Sequence, residues 1–140
     1  MQQSKDYLLR DIEKLSQMLI GLIDKMTGIN PNTTSDVLEE IDTALQNELD
    51  LSLKKISAME ANAFKNHSSA FHETHLEHLA KLLYQLVLKL DAYNLKQNFD
   101  APKLAEKAIL LMDVLDEKSK TFSMQRLEMK ADLEVKLTKK

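Results

Sequence analysis

The chain predicts an all-α fold of stacked antiparallel helical hairpins, five main helices in a tetratricopeptide-like or irregular bundle. Three observations carry that expectation. The positions Leu8, Ile12, Leu15, Leu19, Leu22 and Met26 alternate steps of four and three, which keeps apolar side chains on one helical face. The same rhythm returns at Leu76, Leu79, Leu83, Leu86, Leu90 and Tyr93. Two glycines and two prolines in 140 residues leave little turn chemistry for a sheet, whereas Leu, Lys, Glu, Ala and Met suit long helices.

The first helix is expected from Ser4 to Met26, with Gly28 supplying a left-handed stop and Pro31 preventing resumption. Leu9, Ile20 and Ile23 flank its stripe, a width that suits a globular core better than a two-stranded coiled coil. After the polar loop Asn30 to Ser35, Asp36 and Glu39 form a D-x-x-E capping box. They open a second helix that buries Leu38, Ile41, Leu45 and Leu49 and ends by Asp50. Leu49, Leu51 and Leu53 then alternate with polar residues, a period of two that one helical face cannot hold. A break is expected there, with Asp50 or Ser52 capping a short helix through Ile56 and Met59. Across Ala58 to Phe71, Ser68 and Ser69 punctuate short helical turns.

Thr74 and Glu77 make a second capping box before the most apolar helix. Its polar positions Lys81, Gln85 and Lys89 form one narrow strip, so it belongs in the middle of the bundle. Asp100 caps the next helix, with Pro102 in the first turn, Phe99 stapling onto Leu104, and a stripe of Leu104, Ala108, Leu111 and Leu115. A loop from Glu117 to Thr121 leads to Ser123, the cap of the last helix, with Phe122 and Leu127 at staple spacing. Short connections imply hairpins stacked in sequence order. The starts at Thr74 and Ser123 lie 49 residues apart, longer than the ~34-residue tetratricopeptide period, so no regular repeat is visible.

Length suits a single domain, residues 1–140, able to bury about two-thirds of its unfolded surface. The absence of cysteine excludes disulfides, thiolate nucleophiles and cysteine-based zinc sites. No apolar region follows the opening residues as a secretory signal requires, and no segment approaches the ~20 residues of a membrane span. A cytoplasmic location is the resulting expectation. The net charge of −3 argues against nucleic acid as a partner. The bases Lys130, Lys136, Lys139 and Lys140 alternate with Glu128, Asp132 and Glu134, which argues the same way. Between Met26 and Leu53 stand Asp36, Glu39, Glu40, Asp42, Glu48 and Asp50 without a Lys or Arg, giving the second helix an acidic face.

The segments Asp6 to Glu13, Leu79 to Tyr84, and Leu104 to Ala108 continuing through Asp116 to Ser123 resemble uncharacterised small helical bacterial proteins with tetratricopeptide-like C-terminal halves. The likeness touches about half the chain and rests mostly on helix-packing residues. Ala105 and Ala108 match the small residues of tetratricopeptide hairpins, while the usual repeat glycine and turn proline have no counterpart. The resemblance implies a scaffold fold in a bacterial cytoplasmic setting and transfers no activity.

Potentially reactive side chains gather only at His67, His72, Glu73, His75, Glu77 and His78. A zincin helix places histidines four apart, as HExxH, so that both reach one zinc; His72-Glu73-Thr74-His75 is one residue short. With Thr74 as cap, His72 falls outside the helix and the imidazoles of the first turn are exposed. The alternative is a metal-binding protein using His72, His75 and His78, whose spacing of three brings side chains together on an unbroken helix. A di-iron bundle needs Glu-x-x-His pairs, and the chain has none. Glycine-rich phosphate loops are absent as well. No catalytic residue, metal ligand or cofactor is therefore assigned. The leading expectation is a non-enzymatic scaffold or interaction module that binds a protein partner or a second copy through the last helix. There Met124, Leu127, Met129, Ala131, Leu133, Val135 and Leu137 spread beyond one stripe.

Overall fold

The computed structural model describes residues 2–30, 32–93, 100–119 and 123–138, with side chains from 10 onward and that of residue 93 left aside. The parts assigned above to Leu8, Leu9, Pro31, Tyr93, Phe99, Thr121, Phe122, Lys139 and Lys140 thus lie outside what is described. Among the described residues the chain is all-helical, with seven helices where the pattern predicts five main ones. They are α1 (Gln2–Thr27), α2 (Thr34–Leu49), α3 (Leu53–Ala58), α4 (Ala61–Ser68), α5 (Glu73–Tyr93), α6 (Ala101–Ser119) and α7 (Met124–Thr138). None of them is long and apolar enough to cross a membrane.

The end of α1 departs from expectation. Gly28 has no positive φ, and its N–H continues the helix by donating to Asp24 O at 3.3 Å. The left-handed stop is unnecessary because Ile29 turns into the core. Asn30 then builds the next turn, its Oδ1 accepting from the N–H of Asn32 at 2.9 Å and of Thr33 at 3.2 Å. Thr34 Oγ1 donates to Asn30 O at 2.6 Å. This turn starts α2 two residues ahead of Asp36, which lies inside the first turn and favours the helix through its dipole instead of capping it.

The left-handed residue is Asp50, at φ 56°. Its N–H donates to Gln46 O at 3.1 Å and that of Leu51 donates back to Leu45 O at 3.4 Å, while Leu45 and Leu51 are both buried. The bond from the left-handed residue back to the carbonyl four residues earlier is that of an αL ending. The break lets Leu49, Leu51 and Leu53 all reach the core despite their period of two. Ser52 Oγ then accepts from Lys55 N at 3.1 Å, and Asp42 reaches from α2 to accept from Leu53 N at 2.6 Å, so two side chains cap α3.

His72, not Thr74, caps α5: its Nδ1 accepts from Thr74 N at 3.1 Å and its carbonyl from Leu76 N at 3.0 Å. Asp100 caps α6 through Lys103 N at 3.3 Å, and Ser123 caps α7 through Arg126 N at 3.2 Å, both as expected. Helix α6 runs through Glu117 to Ser119, residues the sequence assigns to a loop.

Packing follows chain order only in part. Helix α5 packs mainly against α6 and then against α1, while α3, α4 and α7 all lie on α6 and α2 touches α1. The physical reason is the apolar circumference of α5. Leu76, Leu79, Leu82, Leu83, Leu86, Val87 and Leu90 are all buried, and one sequence neighbour cannot cover so wide a face. One core cluster includes residues from every helix, among them Leu19, Ile41, Ile56, Phe64, Leu83, Leu111 and Leu133. Lys107 is also buried, its Nζ donating to Ser57 O at 3.4 Å and lying 5.9 Å from the Phe64 ring centre. Burial holds its pKa below the usual lysine value, Lys103 adds to that effect, and Glu106 opposes it.

Candidate functional site

The histidine segment is built for packing. His75 is buried, and its Nε2 donates to Ile12 O at 2.9 Å, joining α5 to α1 across 63 residues of sequence. The expectation of exposed imidazoles fails at this residue, because the α1–α5 contact covers it. The His72 ring lies 5.7 Å from that of His75, and the His67 ring stands edge-on to Phe71 at 5.4 Å. His78 has its pKa lowered by burial first, then by Lys81 and His75, against the opposing charge of Glu77. Among the described residues no group of three His, Asp or Glu side chains can hold a metal ion. His72, His75 and His78 therefore form no ligand set here.

The acidic side of α2 borders an open depression floored by Met18 and Ala44 and rimmed by Asp36, Glu39, Glu40 and Glu48. Lys25 from α1 pairs with Glu40 at its edge. Both partners are about half exposed, so this pair contributes little to stability.

Helix α7 carries apolar residues on two sides. Met129 and Leu133 are buried and Leu137 is partly buried against the core. Charged groups fasten the same side. Arg126 Nε pairs with Asp116 Oδ1 at 2.6 Å, Lys130 Nζ with Asp116 Oδ2 at 2.7 Å and Asp113 Oδ1 at 3.1 Å, and Lys136 Nζ with Asp91 Oδ2 at 2.6 Å. Tyr84 on α5 donates its hydroxyl to Asp132 Oδ2 at 2.6 Å.

These contacts shift the groups that make them. Burial pushes the Asp116 carboxyl up, but hydrogen bonds from Lys130 and Arg126 outweigh it and hold the pKa below the usual value. Lys130 is raised, first by its bond to Asp116 and with help from Asp113, against the effect of burial. Tyr84 is raised to about 12 by burial, by its bond to Asp132 and by the charges of Asp132 and Glu128.

The opposite side of α7 is apolar and open. Met124 is 59% exposed, Leu127 48% and Val135 60%. With the exposed Ala131 they are spaced by three, four and four residues, so they form one stripe along the helix. The surplus of apolar residues expected from the sequence thus resolves into two faces. Met129, counted there with the surplus, belongs to the inner one. The sequence reads Asp116, beside Glu117, as a solvated surface acid and does not mark Asp91 or Asp113, since the partners of these acids lie 10 to 45 residues away. Compared with known proteins, the chain matches no family model, no curated protein and no solved structure.

Proposed function

We propose that the protein is a non-enzymatic helical interaction module of the bacterial cytoplasm, docking a partner protein along the outer face of α7. The observation that carries this reading is the stripe Met124, Leu127, Ala131 and Val135, which lies opposite the buried Met129 and Leu133 on the same helix. Single exposed apolar residues are ordinary, but four aligned along one helix supply the spacing of anchors by which helices dock on partners. Successive packing of α5 on α6 and α6 on α7, with Ala105 and Ala108 buried, supports a tetratricopeptide-like C-terminal half.

Site-specific photocrosslinking in the native cell tests the docking face. A crosslinker at position 127 should give a discrete adduct that disappears when Met124 and Val135 become serine, while one at the exposed position 39 of α2 should not. Identical adduct patterns from both positions would reject the outer face of α7 as the docking surface.

A further inference from the structure

We propose that the segment docked on α7 is an amphipathic helix with lysine or arginine along the edges of its apolar stripe, an inference that rests on the docking reading above. The charge around the stripe is one-signed. Glu128 lies along one edge and Glu134 along the other, both exposed, while Asp132 beside Glu128 accepts from Tyr84. The bases of α7 are turned away from it, Arg126, Lys130 and Lys136 being paired with Asp116, Asp113 and Asp91. An apolar strip bordered by acids is complementary to a helix with a leucine-like face and basic edges.

A second copy of α7 fits poorly, because any pairing of the two stripes sets acidic edges against acidic edges. The 15-residue helix is about 22 Å long and offers a footprint of roughly 220 Å². That is far below the ~800 Å² per partner of a stable protein interface, so the face suits a short helical segment bound transiently. An anionic membrane surface is repelled by the carboxylates of Glu128 and Glu134.

Fluorescence anisotropy with the full chain and two labelled 15-residue helical peptides tests the inference. Both peptides carry one leucine stripe; one has lysine along the edges and the other glutamine. The lysine peptide should bind about tenfold more tightly, equivalent to ~1.4 kcal/mol, and lose that advantage in high salt. A Met124→Ser, Leu127→Ser, Val135→Ser variant with unchanged circular dichroism should bind neither. Glu128→Lys with Glu134→Lys should abolish the preference for lysine, whereas Glu39→Lys with Glu40→Lys on α2 should leave it unchanged.

Several results overturn the proposal, and they separate its two layers. Equal affinity of the two peptides, with both lost in the serine variant, removes the basic partner but keeps the docking face. Undiminished binding by the serine variant removes the docking face itself. A preference erased by the α2 substitutions places the basic peptide on α2. Sedimentation showing a dimer that the serine variant dissociates makes a second copy the occupant, and no binding of either peptide at about 1 mM, the weak end of specific association, rejects the inference outright.

Discussion

The Tyr84 hydroxyl donates to Asp132 Oδ2 at 2.6 Å, tying the central helix α5 to α7 across 48 residues of sequence. Because burial, that bond and the charges of Asp132 and Glu128 raise the phenol to about 12, the folded chain holds this proton while an unfolded chain releases it near 10. The folded state binds more protons in that window, so stability falls as pH rises from about 10 towards 12. Replacing Asp132 by Asn should bring the Tyr84 titration down towards the ordinary tyrosine value. Ultraviolet titration, with Tyr84→Phe subtracted to isolate this residue from Tyr7 and Tyr93, reads the shift directly. An unchanged titration in Asp132→Asn would deny the bond its role.

The attachment of α7 should have its own pH window. Asp116 is held below the ordinary aspartate value of 3.8, so its contribution is present above that value and is lost as pH falls through the lower folded pKa. Lys130 is raised above 10.5, so its contribution is complete below that value and lost as pH rises through the folded pKa. Methyl NMR of labelled methionines should show Met129 moving to its unfolded position in acid before Met112 on α6 does. The two methyls changing together at every pH would mean that α7 does not release separately.

Met129 and Met124 distinguish the two faces of α7. Met129→Lys forces a charge into the core and should cost several kcal/mol and reduce helicity. Met124→Lys, on the outer stripe, should stay within about 0.5 kcal/mol of the parent. Circular dichroism during urea unfolding measures both, and equal effects would contradict the division into an inner and an outer side.

Leu83 is fully buried at the centre of α5, so Leu83→Ala should cost about 2–5 kcal/mol through lost burial and the cavity left behind. Urea unfolding checks it. A loss under about 0.5 kcal/mol would put Leu83 in the range of ordinary surface positions.

Asp50 occupies the left-handed region, where a side chain other than glycine costs roughly 1–2 kcal/mol, least for Asp and Asn. Asp50→Val should therefore destabilise by about that much, while Asp50→Gly should not destabilise. Thermal unfolding of the two variants should separate clearly. Equal melting temperatures would show that the turn after α2 tolerates any residue.

Helical periodicity, and the caps for which one residue has no nearby rival, are legible in the amino-acid order. The stripes of Leu38, Ile41, Leu45 and Leu49 and of Leu104, Ala108, Leu111 and Leu115 are buried as their spacing predicts, since helical periodicity alone places them on one side. Ser52, Asp100 and Ser123 cap the helices they precede because each bond closes within three residues. Local reasoning failed where two nearby groups compete for the same task. Asn30 with Thr34 displaced Asp36, and His72 displaced Thr74. Asp50 holds the left-handed backbone that Gly28 was expected to adopt.

Only the tertiary structure decided which apolar faces meet. The sequence marks α5 as apolar on most sides, but that Ile12 O accepts from His75 Nε2, 63 residues away, depends on α1 packing chiefly on α5 and only lightly on its successor α2. The same holds for α7. Its apolar residues are plain in the sequence, yet the side bearing Met129 and Leu133 is inward because Arg126, Lys130 and Lys136 find Asp116, Asp113 and Asp91 there. Hydrophobic burial has no direction of its own, so a helix with two apolar faces leaves its orientation open until distant charged partners favour one of them.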